Sequence, residues 1–171
     1  MKVTRRQALY GAGGLALALL LFRGTSISGK NAVDRWGNII YRDTTALIPS
    51  FAKRVQVLFN RMKARGYRPI LWEAYRTPER AIRLAEDGKG IQNSMHLYGA
   101  AVDIVDAKTM WSDPGFFRAL GEEAERLGLI WGGRFSRPDG PHIQAVPIAS
   151  QTHLTRMTPS DREVFVRGLY V

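Results

Sequence analysis

The chain contains no cysteine, which excludes disulfides, thiolate zinc sites and thiol nucleophiles together. Histidine is nearly absent too: there are three, so imidazole chemistry must draw on His96, His142 and His153. Acidic residues are scarce, 15 against 25 basic ones, giving a formal net charge of +10. No lysine- or arginine-rich block accounts for that excess. A scattered positive charge favours polyanions in general and selects none of them. Repeats, low-complexity tracts and a second domain are also missing. What remains is an ordinary globular composition, 45% hydrophobic and 23% charged, and 171 residues suit one apolar core.

The amino terminus reads separately from the rest. Lys2, Arg5 and Arg6 precede an uncharged, mostly apolar run over residues 7–22, the layout of an export signal. The run is short for a bilayer span, which needs ~20 apolar residues, and Gly11, Gly13 and Gly14 weaken it. Residues 1–23 are therefore expected to be a cleaved signal, a signal-anchor or a signal-arrest-release segment, with everything after Arg23 on the outer side. Arg5-Arg6 after Thr4 also fits a twin-arginine signal, although a plain positive n-region explains it. Without residues 1–23 the chain keeps 21 basic and 15 acidic residues, still +6.

Residues 24–43, rich in Gly, Ser, Asn and Asp, read as a linker with a short turn at 34–38, followed by one domain over 44–171. Apolar residues recur at helical spacing over 47–65, closed by Gly66. A strand is expected over 69–75, then a helix opened by Thr77 as N-cap and Pro78. Residues 100–105, A-A-V-D-I-V, have the pattern of a buried strand. Asp113-Pro114 opens another helix, residues 129–131 and 142–146 read as strands, and Ser160 with Glu163 predicts a capping box for a last helix. The order implies an α+β domain with a small, largely antiparallel sheet.

Two clusters carry chemistry. Asp103 sits inside the apolar strand, where a carboxylate without a partner would cost several kcal/mol; it needs a cation. His96 lies seven residues upstream, across a turn that Gly99 permits. Asp139-Gly140-Pro141-His142 then places a carboxylate three residues before a histidine, across a tight turn. Two imidazoles and one carboxylate, with a fourth position left for water, are a catalytic zinc set, and Asp139 would stand beside that water.

Residues 94–103 fit the pattern S-x-H-x-x-G-x-A-x-D, and E-A-Y-R-T-P-E-R-A (73–81), W-G-G-R-F (131–135) and D-G-P-H-I-Q (139–144) follow the same order. Together they resemble the D-alanyl-D-alanine and L-alanyl-D-glutamate zinc metallopeptidases, VanY-like enzymes with a Hedgehog/D,D-peptidase-like fold. The likeness covers roughly 44–146 and is nearest to phage endolysins of the L-alanyl-D-glutamate type. The resemblance implies one zinc ion on His96, Asp103 and His142, with Asp139 as general base and Arg76 holding the oxyanion or a substrate carboxylate. Ser94 is implied in a supporting or substrate hydrogen bond, with a turn serine as the other reading. Trp131 would shape the cleft wall or pack in the core; His153 matches nothing and reads as a surface residue.

The expected activity is hydrolysis of an amide bond in the peptidoglycan stem peptide, between L-Ala and D-Glu. D-alanyl-D-alanine carboxypeptidase or dipeptidase activity is the alternative. The expected setting is the periplasm or outer face of the cytoplasmic membrane. A monomer is expected, with membrane contact through the N-terminal segment and no nucleic-acid partner. The same three donors would also suit the facial triad of a non-haem iron oxygenase, but such a site does not call for Asp139. A non-enzymatic wall-binding module fits the basic charge but leaves the full ligand set without a purpose.

Overall fold

The structure, a computed structural model, describes Ile27 and residues 29–170. The N-terminal apolar segment expected over 1–23 lies outside these residues. Among the described residues no helix is long and apolar enough to cross a membrane.

A two-stranded antiparallel hairpin comes first, β1 (Ala32–Val33) and β2 (Ile39–Ile40). It falls where the sequence suggested a linker. Asp34 builds it: its carboxylate accepts from the backbone N–H groups of Trp36 and Asn38, both at 2.9 Å, and so closes the turn from within.

Helix α1 (Pro49–Ala64) starts two residues later than its periodicity suggested, because Pro49 takes the first helical position and keeps Ile48 extended. It buries Phe51, Val55, Leu58, Phe59 and Met62, each worth roughly 1.5–3 kcal/mol relative to exposure. Strand β3 (Pro69–Glu73) and helix α2 (Pro78–Glu86) follow, Thr77 capping the helix through Arg80 N–H at 3.3 Å. A 3-10 turn over Met95–Tyr98 leads to β4 (Ala101–Asp106), then α3 (Pro114–Glu125), β5 (Ile130–Trp131) and β6 (His142–Gln144). Two helices close the chain, α4 (Gln151–Arg156) and α5 (Pro159–Gly168).

The main sheet is antiparallel throughout, in the order β3-β4-β6-β5. Leu71, Val102, Ile104 and Ile143 pack with the apolar stripes of α1 and α3 in one cluster. Asp103 alternates out of that layer and pairs across the ladder with His142, which puts both on the other face. The α+β expectation holds. The last helix brings a further correction: its capping box is Thr158 with Asp161, not Ser160 with Glu163. Glu163 instead accepts from the N–H of Ser50, at 2.8 Å, at the first turn of α1. The pattern Ser-x-x-Glu was real; a long-range contact claimed its acid.

Candidate active site

The site grows out of the β4–β6 pairing. Asp103 and His142 are direct partners in the ladder, so one carboxylate and one imidazole leave the same sheet face side by side. His96 arrives from the 3-10 turn before β4. Gly99 makes that turn possible: it sits at φ 65, and a Cβ there would strike the Ala46 carbonyl. His96, Asp103 and His142 each then offer a ligand atom within 4.8 Å of one another.

The hydrogen bonds decide which atoms face inward. His96 Nδ1 lies 2.6 Å from the Ala74 carbonyl, which can only accept, so Nδ1 carries the proton and Nε2 keeps its lone pair. That buried Nε2 has no hydrogen-bond partner and stands 3.3 Å from Asp103 Oδ1. His142 is oriented the opposite way round. Its Nε2 meets Gln144 Oε1 at 3.1 Å, while Nδ1 faces Asp103 Oδ1 at 3.2 Å. Gln144 is itself oriented, because its amide N–H donates to the Val146 carbonyl at 2.5 Å and leaves only the oxygen for His142. Two imidazole lone pairs and a carboxylate therefore converge with no proton between them. Such a cluster calls for a cation, and borderline nitrogen and oxygen donors in this number suit zinc.

Charge follows the geometry. Burial pushes the Asp103 carboxyl up, but the His96 and His142 imidazoles outweigh it and hold Asp103 well below its ordinary value. Burial pushes His142 down, yet the hydrogen bond and charge of Asp103 reverse this, and His142 sits above its ordinary value. Without metal the cluster thus attracts a proton as its substitute cation. Asp139 lies exposed at the mouth of the site, close enough to feel Asp103, His142, His96 and Arg76. Partial desolvation of its carboxyl and the negative charge of Asp103 together raise it above the usual carboxylate range.

Arg76 reaches the site from the loop after β3, its Nη2 3.6 Å from Asp103 Oδ2. A bulge in β3 makes this possible. Leu71 pairs with Ile104 but Glu73 pairs with Asp103, so Trp72 and Glu73 together stand opposite Asp103. Glu73, only 2% exposed, then takes the Arg76 fork through Nε at 3.2 Å and Nη2 at 2.8 Å. Arg80 grips the same carboxylate through Nε at 2.7 Å, and its Nη1 reaches Asp34 at 2.5 Å. Alternating charges thus run from the hairpin to the metal cluster: Asp34, Arg80, Glu73, Arg76, Asp103.

Trp131 holds the other wall. Its indole is sandwiched between Gly121 of α3 and Gly133, where any side chain would collide with the ring. Its Nε1 donates to the Gly140 carbonyl at 2.7 Å, inside the turn between Asp139 and His142. Gly132 completes the joint: its carbonyl accepts from Asp139 N–H at 3.0 Å, and a Cβ there would lie 2.6 Å from the Asp139 carbonyl. The W-G-G motif is therefore a mould for the Asp139–His142 turn. Ser94 proves to be the cap of the 3-10 turn, its Oγ accepting from His96 N–H at 3.4 Å. His153 lies exposed on α4, apart from the cluster, beside Phe165 at 6.5 Å.

Residues 87–145 match the family described as D-alanyl-D-alanine carboxypeptidase. Over that stretch the chain is similar to this peptidase family. The matched span runs from the loop after α2 to the residue after β6, and so contains all three donors and Asp139. The fold is also that of a Serratia marcescens L-Ala D-Glu endopeptidase, ChiX. That likeness has 22% identity, covers 70% of this chain and 86% of that one, and has a TM-score of 0.50. A vancomycin-resistance D,D-pentapeptidase, VanY, solved as a variant with Zn(II), aligns at 20% identity over 77% of this chain and 86% of its own, with a TM-score of 0.48. No curated protein matches the chain by sequence.

Four contributors were missed from sequence: Asp34, Glu73, Arg80 and Gln144. Glu73, Arg80 and Gln144 lay inside the quoted motifs without a role. A signal for Gln144 existed, since residues two apart on a strand share a face and His142 needs an acceptor. Nothing local marked Asp34, 46 residues from its partner Arg80.

Proposed function

We propose that this hydrolase cuts the L-alanyl–D-glutamate bond of the peptidoglycan stem peptide, with zinc held by His96 Nε2, Asp103 and His142 Nδ1. The observation that carries the reading is the convergence of two oriented imidazole lone pairs and a carboxylate on one point, with Asp139 at its mouth.

Zinc bound there supplies a Lewis acid that lowers the pKa of a water from about 15.7 to ~7. The chain's own residues do the rest. Asp139 accepts the proton of the attacking water and returns it to the leaving amine, and its raised affinity for a proton suits both halves of that task. Arg76 offers a fixed, permanently charged fork to the developing oxyanion or to the D-Glu carboxylate, and Glu73 with Arg80 keeps it from collapsing onto Asp103. Trp131 and Gln144 keep the base and the second histidine in register.

The basic n-region and apolar run at the amino terminus support action outside the cytoplasmic membrane, in the manner of an endolysin or a prophage-derived lysin. The second reading, D-alanyl-D-alanine carboxypeptidase, is favoured by the description of the matched family. Digestion of purified muropeptides followed by mass spectrometry separates the two. A new D-Glu amino terminus supports the proposal, whereas free D-Ala as the sole product replaces it with the second reading.

A further inference from the structure

On β3, next to the strand that carries Asp103, and on the turn after β4 stands an aromatic pair that the catalytic machinery does not use. Trp111 is 49% exposed and Trp72 is half-buried. Their rings meet edge to face, centroids 5.2 Å apart at 78°. Arg42 fixes Trp72 from one side, its guanidinium 4.5 Å from the ring centroid and its Nε on the Trp72 carbonyl at 3.2 Å. Trp111 is presented by a rigid turn. Met110 N–H donates to the Asp106 carbonyl at 2.8 Å, Thr109 Oγ1 to Asp106 Oδ2 at 3.2 Å, and Ser112 Oγ to the Thr109 carbonyl at 2.7 Å.

That turn carries strain. Met110, immediately before Trp111, has φ 52, the only positive φ of a non-glycine among the described residues. The left-handed Met110 closes the turn through its bridge to Asp106 and so sets Trp111 towards solvent, and strain of this kind gathers at ligand sites. The location is as telling. The β3 bulge places Trp72 opposite Asp103, a metal-site residue, on strands that run about 5 Å apart.

We infer that Trp72 and Trp111 form a saccharide subsite for the muramyl sugar of the same substrate, an inference that rests on the peptidoglycan reading. The C–H face of a sugar ring is apolar and slightly positive, and it stacks on the electron-rich face of an indole. The connectivity of the polymer supplies the distance. L-Ala is joined directly to the lactyl group of the muramyl sugar, so a scissile L-Ala–D-Glu bond lies one residue from that group. One residue spans at most about 3.6 Å, so the sugar follows within reach of a tryptophan on the neighbouring strand. A bond between terminal D-Ala residues lies three residues further along the stem, on the order of 10 Å more. The aromatic pair therefore favours the L-Ala–D-Glu bond.

The test compares two substrates that differ only in the sugar: a disaccharide-bearing muropeptide and the free stem peptide. The full-length protein is expected to favour the muropeptide roughly tenfold in kcat/KM. Trp111→Ala, at a half-exposed position, should erase that preference and leave hydrolysis of the free peptide unchanged, and Trp111→Tyr should restore most of it. Equal use of both substrates by wild type overturns the inference, as does an equal loss on both in Trp111→Ala. So does a dimer in sedimentation that Trp111→Ala dissolves, because the aromatic pair would then belong to a second copy. Titration of the peptide-free disaccharide against the indole N–H signals by NMR adds a readout without turnover. A shift of the Trp111 signal in wild type is expected, and none overturns the inference. Should no muropeptide be cleaved at all, the peptidase reading fails by itself and the sugar titration still decides the subsite.

Discussion

Replacing Gln144 by leucine isolates the device that selects the metal-facing nitrogen of His142. Gln144 is 2% exposed, so when its oxygen is lost from 3.1 Å no water can take over for His142 Nε2–H. A buried donor left without a partner costs roughly 1–3 kcal/mol. The Val146 carbonyl loses its amide donor in the same change. For the metal, loss of a supporting acceptor behind a ligand histidine typically weakens affinity by about 10–100-fold, or ~1.4–2.8 kcal/mol. Competition against a fluorescent chelator at neutral pH should therefore place the zinc Kd of Gln144→Leu one to two decades above wild type. Gln144→Glu should fall between them: its carboxylate strengthens the bond to His142 but opposes the Val146 carbonyl. A Gln144→Leu protein that melts earlier but binds zinc within about twofold of wild type would refute the reasoning, because the glutamine would then be a packing residue alone.

Four further outcomes follow from the geometry. Asp139→Asn should keep its zinc and lose about 10²–10⁴-fold in kcat, measured on muropeptides with the metal content of the same sample. Arg80→Leu removes the ion pair with Asp34 and one of the two arginines on buried Glu73, which Arg76 still holds, and should cost about 1.5–3 kcal/mol; a calorimetric midpoint lower by roughly 5 °C checks it. Gly121→Ala drives a methyl into the Trp131 ring and should destabilise by about 1–3 kcal/mol while loosening the Asp139 turn. The metal-free protein has a pH signature. His142 is raised, so its contribution to stability is complete below its unfolded value and fades as pH rises through the folded one. Zinc must displace that proton, so zinc affinity should strengthen across the same interval, with proton release detectable by calorimetry in buffers of different ionisation enthalpy.

Most of the fold was legible because its signals are local. Pro49, Thr77-Pro78 and Asp113-Pro114 mark helix starts through their own backbone chemistry, and the Ala101–Asp106 strand declares itself by burial on both faces. The three donors were legible for a related reason: Asp103 contradicts its apolar surroundings, and only a cation resolves the contradiction. The rest depends on contacts that sequence does not announce. The bulge at Trp72 is what turns Glu73 towards Asp103, and no residue there is a bulge-former by type. The hairpin around Asp34 looks like a linker until Arg80 arrives from α2 to meet it. Glu163 was read as half of a capping box because its spacing fits one, yet Ser50 lies 113 residues away and wins it.

The chain of charges from Asp34 to Asp103 explains why two arginines share one buried carboxylate. If Glu73 held Arg76 alone, one fork would neutralise one carboxylate, and little net field would reach a developing oxyanion. Arg80 changes that balance by answering part of the Glu73 charge itself, so more of the Arg76 charge remains available on the side facing Asp103. Asp34 then keeps Arg80 from being a partly uncompensated buried cation, which would be costly. On this logic the hairpin at 32–40 belongs to the catalytic unit although it precedes the family-matched span. Truncation to residue 44 should leave the zinc ligands intact but lower kcat more than it weakens metal binding. Equal losses in both would mean that the hairpin only stabilises the fold.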